Sequence, residues 1–233
     1  MQDRLAANLE RVQERLARAA AESGRRLEEI SLLAVTKQHS CPQIRALNAL
    51  GVTRIGENRV PELVKKREEL GADPPEWHFV GPLQRNKARK CIQAAGWIHS
   101  VESERLLLYL DRIAEEEGLR PRILLEVNLS GEKQKHGVPP GGFGWLLDRA
   151  REMTHLELVG LMTIGPNTEE MERVRESFAN LRELLLSYCP DLPHLSMGMS
   201  RDLEIAVAEG ATLVRVGSAL FTGLPTAAAE EEG

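Results

Sequence analysis

The sequence predicts an α/β protein folded as a single (β/α)8 barrel of the TIM type, with one extra helix at its N-terminus. Short apolar runs of strand length alternate with amphipathic helical segments from residue 30 to residue 216. Eight such units follow one another without a linker, as in a closed parallel barrel. The length of 233 residues also fits, because α/β barrels often run to about 250 residues as one domain.

The first element is a helix that precedes the barrel. Leu5, Leu9 and Val12 recur at helical spacing between charged residues, and Gly24 follows where a C-terminal cap belongs. We therefore predict that residues 1–24 are an addition to the barrel.

The strand and helix units then alternate in a regular order. The predicted strands are 30–36, 53–56, 77–80, 97–101, 122–127, 156–162, 194–196 and 212–216. The predicted helices are 42–50, 61–70, 86–95, 104–117, 143–154, 169–187 and 203–209, with a short helix near 218–220. An open doubly wound sheet is the alternative, but it usually has fewer strands, and no G-x-G-x-x-G turn follows the first strand.

The single domain is expected to span residues 1–225. Residues 226–233 have no apolar periodicity, so they are predicted to form a flexible tail.

Composition argues against several classes of protein. The net charge of -5 is spread along the chain, so no nucleic-acid-binding surface is expected. No run approaches the roughly 20 apolar residues of a membrane span, and the N-terminus opens into a charged helix without an apolar targeting segment. Cys41, Cys91 and Cys189 are odd in number and far apart, which indicates no disulfide framework, no zinc site and a reducing cytoplasm.

Lys37 stands directly at the end of the first apolar run, where a barrel opens. Burial beside a strand disfavours the charged form of a lysine and makes its amine a better nucleophile. A reactive amine at the barrel mouth is one interpretation, and an ordinary surface lysine with its head in water is the other.

Two clusters after the seventh and eighth strands suit a phosphate group. Residues 196–202 combine hydroxyls with a glycine directly before a helix, where free backbone amides attract anions, although Ser200 also suits plain helix capping. Gly217 and Ser218 follow the eighth strand, and the missing side chain of Gly217 lets a phosphate approach the backbone. Barrels commonly bind phosphate in these two loops.

Arg215 lies within the eighth strand between two valines. Because side chains alternate along a strand, it points either into the barrel or toward the outer helices, and in both places it needs hydrogen-bond acceptors. Lys37, Arg215 and the phosphate cradle correspond to the three anchors that pyridoxal phosphate would use: its aldehyde carbon, its ring nitrogen and its phosphate.

With these anchors the sequence resembles the pyridoxal phosphate homeostasis proteins, relatives of the alanine racemase barrel. The most specific matches are Trp77-His78-Phe79 and Ser196-Met197-Gly198-Met199-Ser200, taken together. The other matching stretches, in the order of the family, are 33–37, 56–58, 80–87, 126–128, 160–162 and 214–218.

The resemblance implies a fold type III barrel without the second β domain of the racemases. It implies a cytoplasmic protein that binds pyridoxal 5′-phosphate (PLP) and takes part in intracellular PLP homeostasis, as a monomer or weak dimer. PLP-dependent apo-enzymes are the expected recipients of the cofactor.

The resemblance also implies a set of cofactor-binding residues. They are Lys37, Asn58, His78, Met199, Ser200, Arg215, Gly217 and Ser218. Lys37 would hold PLP as a Schiff base, and Arg215 would face the pyridine nitrogen. The phosphate would lie between the last two loops with backbone help from Met199, while Asn58 and His78 would line the site.

Two departures from the family pattern stand out. Arg59 occupies a position where many relatives carry an aromatic residue, and residues 221–225 lack the basic, tyrosine-containing end of some members. Neither departure touches the three anchors.

These residues favour a carrier without catalytic residues. An arginine keeps its proton and donates to the ring nitrogen, so the cofactor stays a weak electron sink. Tyr109 and Tyr188 fall on outer helices, which leaves His39 as a weak acid/base candidate. The alternatives are a PLP-dependent racemase or lyase acting on an amino acid, and a Schiff-base aldolase that uses Lys37 without a cofactor.

Overall fold

The computed structural model describes residues 1–71, 75–132 and 134–227 and confirms the predicted barrel. Each of eight parallel strands pairs with the next, and β8 pairs with β1 to close the sheet. The strands are β1 (Ser31–Val35), β2 (Arg54–Glu57), β3 (Glu76–Phe79), β4 (Trp97–Val101), β5 (Arg122–Glu126), β6 (Glu157–Met162), β7 (His194–Ser196) and β8 (Leu213–Val216). The α-helices are α1 (Gln2–Glu22), α2 (Cys41–Ala49), α3 (Val60–Leu70), α4 (Ala88–Ala94), α5 (Glu104–Glu117), α6 (Pro140–Arg151), α7 (Met171–Tyr188) and α8 (Leu203–Ala208).

The helix α1 is the predicted addition before the barrel. Its apolar stripe, which includes Leu5, Leu9 and Val12, is buried, and the helix packs against α8. It ends in a Schellman motif, in which Gly24 has a φ of +64° and Arg25 N donates to Ala20 O at 2.9 Å. The glycine is therefore used as the sequence indicated, to turn the chain out of α1.

Part of the barrel interior is filled by apolar side chains. A separate cluster of buried side chains fills it, made of Trp97, Leu124, Val159, Met162 and Leu213. The main core lies between the outer faces of the strands and the helices. This division follows from the alternation of side chains along each strand.

Most predicted strands and helices have ends that differ from the structure by one to three residues, and one predicted helix is absent from the described residues. The helix α6 begins at Pro140, three residues before the predicted start, because proline suits the first helical position and the glycines after it are helical here. The short helix expected near 218–220 is wrong. That segment forms a turn closed by a bond from Leu220 N to Gly217 O at 2.9 Å.

Only the first two residues of the predicted tail, 226 and 227, lie within the described residues. Ala227 N donates to Gln38 O at 2.7 Å, so the chain is still attached to the loop after β1 at that point. Residues 228–233 lie outside the described part of the chain. No helix of the described residues is long and apolar enough to cross a membrane.

Candidate cofactor site

Lys37 lies two residues beyond the end of β1, at the carboxyl end of the barrel. Its side chain is exposed, so the dehydration expected from its place after a buried strand does not occur in this structure. The next residue, Gln38, has a φ of +67°, which is unusual for a residue with a side chain. The chain therefore turns sharply just after the lysine, and such strained backbone is common at functional sites.

A buried ion pair lies beside this turn. Lys66 on α3 donates to Glu57 Oε1 at 2.5 Å and to Thr36 O at 2.8 Å, and Thr36 Oγ1 donates to the same carboxylate oxygen at 2.8 Å. The three residues are nearly or fully buried. Glu57 therefore does not line the barrel mouth, although it is the last residue of β2. It instead helps to hold the peptide group that precedes Lys37.

Arg215 lies inside the barrel and is 6% exposed. Its Nη1 donates to Ser196 O and Ser196 Oγ, each at 2.8 Å, and its Nη2 donates to Thr163 O at 2.9 Å. Burial lowers the pKa of Arg215 to about 10, so the guanidinium remains charged at neutral pH. These three bonds leave two of its five N–H groups for another acceptor.

His78 does not reach the barrel mouth. It is 0% exposed, and its Nδ1 lies 2.9 Å from His99 Nε2. The other nitrogen of His99, Nδ1, lies 2.9 Å from Ser196 Oγ, to which Arg215 also donates. The expected role of His78 in lining the site thus becomes indirect, because His99 and Ser196 stand between it and Arg215. Sequence reasoning assigned His99 no role in the site.

The two predicted phosphate loops meet. Ser200 Oγ accepts a hydrogen bond from Ala219 N at 3.2 Å, which joins the loop after β7 to the loop after β8. Gly217 packs against β1, where an added Cβ would lie 3.1 Å from Val35 O. This places Gly217 and the exposed Ser218 at the same edge of the barrel as Lys37.

The loop after β7 differs from the expectation in one detail. The amide of Met199, predicted to help hold phosphate, donates to Asp202 Oδ1 at 2.5 Å. The helix that follows, α8, has only six residues and contributes a small dipole. Gly198 turns the loop with a φ of +89°, and a Cβ there would lie 2.4 Å from that of Ala206. The two serines and the two loop backbones therefore make up most of the cradle.

Asn58 lies half-buried at the end of β2. Its backbone is held close to Gly81, where an added Cβ would lie 2.2 Å from Asn58 O. This contact explains the glycine after β3 that the sequence analysis noted only as part of a motif. Asn128, which follows β5, bonds within its own loop, to Glu132 O at 2.9 Å and to Lys135 O at 3.1 Å.

Glu126 is a titratable group of the barrel interior that sequence reasoning did not single out. It is 3% exposed at the end of β5. Burial raises its pKa to about 7, the nearby carboxylate of Glu102 adds to the rise, and Arg215 and His136 oppose it. An acid with this pKa at this end of the barrel could exchange protons at neutral pH.

The weaker acid/base candidates are engaged elsewhere. His39 stacks on Phe221 with ring centroids 3.6 Å apart, and its Nδ1 lies 3.0 Å from Gln43 Oε1. Tyr109 and Tyr188 lie on α5 and at the end of α7, as predicted. The tyrosines therefore belong to the outer helical layer.

The chain is similar to known proteins over nearly its whole length. Residues 2–225 match the family model described as alanine racemase, N-terminal domain. A pyridoxal phosphate homeostasis protein of Pseudomonas aeruginosa is 41% identical over 220 residues, which cover 93% of this chain and 94% of the relative. The protein of the same description from Escherichia coli K12 is 36% identical over 226 residues, covering 93% and 95%.

Solved structures show the same likeness. PipY of Synechococcus elongatus, whose structure contains bound PLP, superposes with a TM-score of 0.77 at 38% identity and covers 90% of this chain and 99% of its own. An alanine racemase of Clostridium difficile superposes with a TM-score of 0.76 at 16% identity, over 99% of this chain and 59% of its own. The second likeness is one of fold alone.

Proposed function

Because the chain belongs to the pyridoxal phosphate homeostasis proteins, we propose that it binds pyridoxal 5′-phosphate and takes part in controlling the intracellular level of this cofactor. The observation that carries the proposal is the meeting of three anchors at one end of the barrel. They are the exposed Lys37 after β1, the buried and charged Arg215 on β8, and the two loops after β7 and β8, which are joined by the bond between Ala219 and Ser200.

The residues present fit this cofactor. Arg215 retains two N–H groups beyond its three bonds, enough for one ring nitrogen. Gly217 packs against β1, because an added Cβ would lie 3.1 Å from Val35 O, and as a glycine it adds no side chain to the phosphate cradle. Lys37 offers an exposed amine on the β1 side of the same edge.

Each anchor would act on a different part of the cofactor. Lys37 would hold it covalently through its amine, and Ser200, Gly217 and Ser218 would bind the phosphate through hydroxyl and backbone groups. Asn58 would line the β2 side, and Met199 would contribute only if its amide exchanged Asp202 for the phosphate.

The presence of Arg215 favours a protein that binds PLP as a carrier over an enzyme that uses PLP in catalysis. Bound PLP supplies an electron sink that is strong when its ring nitrogen is protonated. The guanidinium of Arg215 keeps its own proton at neutral pH, since its pKa is about 10, and it would donate to an unprotonated nitrogen. This residue thus favours a carrier of PLP over an enzyme.

One observation favours the alternative, a PLP-dependent racemase or lyase. Glu126 is a buried acid with a pKa of about 7 in the barrel interior, a suitable value for proton transfer. Incubation of the loaded protein with amino acids in deuterium oxide tests this. Entry of deuterium at the α position of an amino acid supports the enzyme, and its absence supports the carrier.

The proposal is tested by titration of the purified protein with PLP, followed by absorbance. We expect a new band in the wild-type protein and in Lys90→Ala, which removes an exposed lysine of α4, but not in Lys37→Ala. Equal bands in all three proteins would refute the assignment of Lys37. A colourless wild-type protein that nevertheless cleaves or condenses aldol substrates would support the cofactor-free aldolase.

The wider setting is also a proposal. Delivery to PLP-dependent apo-enzymes follows from a homeostatic role, and a mixture of the loaded protein with such an apo-enzyme would show it as gain of enzyme activity. Cys41, Cys91 and Cys189 are free and buried, which suits the proposed cytoplasmic location.

A further inference from the structure

A line of side chains runs through the barrel interior from Arg215 toward the opposite end of the strands, linked by hydrogen bonds as far as His78 and by a longer electrostatic contact from His78 to Glu76. From Arg215 Nη1 to Ser196 Oγ the distance is 2.8 Å, and from that oxygen to His99 Nδ1 it is 2.9 Å. His99 Nε2 lies 2.9 Å from His78 Nδ1. Finally, His78 Nε2 lies 3.7 Å from Glu76 Oε2, at the start of β3. The line thus connects a buried cation with an anion across the barrel.

The two ends of this line, Arg215 and Glu76, are both charged at neutral pH. Arg215 is a donor, because a guanidinium has no acceptor. Glu76 is an anion, because the neighbouring His78 ring and then the Trp97 indole N–H lower its pKa to about 2, against the effect of burial. Burial lowers the pKa of His78 and that of His99, so both rings between these ends are neutral.

A neutral imidazole carries one N–H, so the hydrogen bond between the two rings can have only two directions. We call each direction, with the tautomers that it requires, a proton order. If His78 holds its proton on Nε2, the N–H faces the anionic Glu76, and His78 Nδ1 accepts from His99 Nε2. If His78 holds it on Nδ1, a nitrogen lone pair faces the carboxylate, which is unfavourable. The first order is therefore favoured by the charge of Glu76.

The rest of the line then follows. His99 uses its single N–H toward His78, so its Nδ1 must accept from the hydroxyl of Ser196. That hydroxyl oxygen in turn accepts from Arg215 Nη1. The three hydrogen bonds from Arg215 to His78 thus all have the same direction, and the last N–H, on His78 Nε2, faces the Glu76 carboxylate at 3.7 Å without a hydrogen bond.

We propose that His99 and Ser196 are positioning residues for Arg215, and that this one-way hydrogen-bond line aims the two remaining N–H groups of Arg215 at the ring nitrogen of the bound cofactor. The inference rests on the proposed function for its ligand. The line itself is a property of the protein without ligand. Removing His99 from it would leave Ser196 free to rotate and would release one of the three bonds that fix Arg215.

The proton order is tested first, without PLP. Long-range nitrogen–proton NMR spectra of the ¹⁵N-labelled protein distinguish the two tautomers of each histidine ring, with the variants His78→Gln and His99→Gln giving the assignments. We expect the Nε2–H tautomer for both His78 and His99. The Nδ1–H tautomer at either ring would overturn the inference.

The positioning role is tested with two substitutions at one position. An asparagine amide can take the place of imidazole Nδ1, and a glutamine amide that of Nε2. His99→Asn therefore preserves the bond to Ser196, whereas His99→Gln preserves only the bond to His78. A role in core packing alone predicts the reverse order, because glutamine is closer to histidine in volume.

The measured quantities are the dissociation constant of PLP and the absorbance maximum of the bound cofactor. We expect His99→Gln to bind PLP about five- to tenfold more weakly with a shifted maximum, and His99→Asn to stay within about twofold of wild type. The control is His155→Gln, on the loop before β6, which should match wild type. Weaker binding by His99→Asn than by His99→Gln would overturn the positioning role.

Failure of the proposed function would look different. A wild-type protein that binds no PLP at all refutes that function and, with it, the positioning role. The tautomer measurement on the ligand-free protein then still decides the proton order. Normal PLP binding with equal affinities in both His99 variants leaves the proposed function intact and refutes only the positioning role.

Discussion

The position of Lys37 depends on a residue that the sequence does not mark as part of a site. Lys66 bonds both the Glu57 carboxylate and the carbonyl of Thr36, directly before Lys37. Glu57 Oε2 has no hydrogen-bond partner among the described residues, so its carboxylate relies on Lys66 and Thr36 alone. Breaking one member of such a buried pair leaves an uncompensated charge.

We predict that Lys66→Met lowers the free energy of unfolding by about 3 kcal/mol or more, because it leaves the buried carboxylate of Glu57 without its cation. The double variant with Glu57→Leu as well should recover most of this loss, since apolar groups can replace a buried ion pair. Urea unfolding measures both. If the two losses simply added in the double variant, the ion pair would not be the source of the effect.

The stability of the protein depends on pH through Glu126. The ordinary pKa of a glutamate is 4.5, whereas burial raises that of Glu126 to about 7. Between these values the folded protein binds a proton that the unfolded chain has lost. The stability from this group is therefore complete below pH 4.5 and is lost as the pH rises through 7.

Glu126→Gln should remove this dependence. We expect the variant to gain roughly 2 to 3 kcal/mol of stability relative to wild type when the pH is raised from 5 to 8. Urea unfolding at the two pH values gives the comparison, with Glu116→Gln on the surface of α5 as the control. A difference between variant and wild type that does not change with pH would contradict the raised pKa.

At the scale of elements, α1 is connected to both phosphate loops. Arg15 Nη2 donates to Ser200 O at 3.0 Å, and its Nε donates to Glu204 Oε1 at 2.7 Å. Asn8 is fully buried and donates to Leu220 O at 2.8 Å and to Thr222 O at 3.0 Å. The added helix therefore supports the cradle from outside the barrel.

We predict that Arg15→Met weakens the binding of PLP by about three- to tenfold, because the loop of Ser200 loses a charged donor. The binding of pyridoxal, which has no phosphate, should not change. Arg105→Met, an exposed position on α5, is the matched control. Equal weakening of PLP and pyridoxal would place the effect of Arg15 elsewhere than the phosphate.

The elements themselves were largely predictable from the sequence. The strand β4 and the helix α5 have the bounds expected from periodicity, because β4 is buried throughout and α5 is capped by Ser103 and Gly118. The start of α6 was missed because its first turn contains glycines, which are typical of loops. Local pattern cannot show that a proline in front of them begins a helix.

The arrangement of the whole molecule explains which parts of the site could be predicted. The residues that follow the strands could be predicted to lie near one another, because the carboxyl ends of all strands in a parallel barrel lie at the same edge. The partners of those residues were not visible, because the line from Arg215 through His99 joins β8, β7, β4 and β3, far apart in sequence. Which face of β2 Glu57 would occupy also depends on register, which a four-residue strand does not reveal.

The closed barrel also restricts how the site was assembled. At Gly160 on β6 an added Cβ would lie 2.0 Å from His194 O on β7, so the two strands need this glycine to approach. The strand β7 carries Ser196, which accepts from Arg215. Closure of the sheet thus places the acceptor of the arginine, and the arrangement of the site depends on the whole ring of strands.

Borohydride reduction of the protein after incubation with PLP, followed by peptide mapping by mass spectrometry, identifies the lysine that holds the cofactor. We predict one pyridoxyl group, on the peptide that contains Lys37, and none after the same treatment of Lys37→Ala. The modification should persist in His99→Gln, whose defect is in affinity. A pyridoxyl group on another lysine with Lys37 unmodified, or no modification at saturating PLP, would contradict the proposed site.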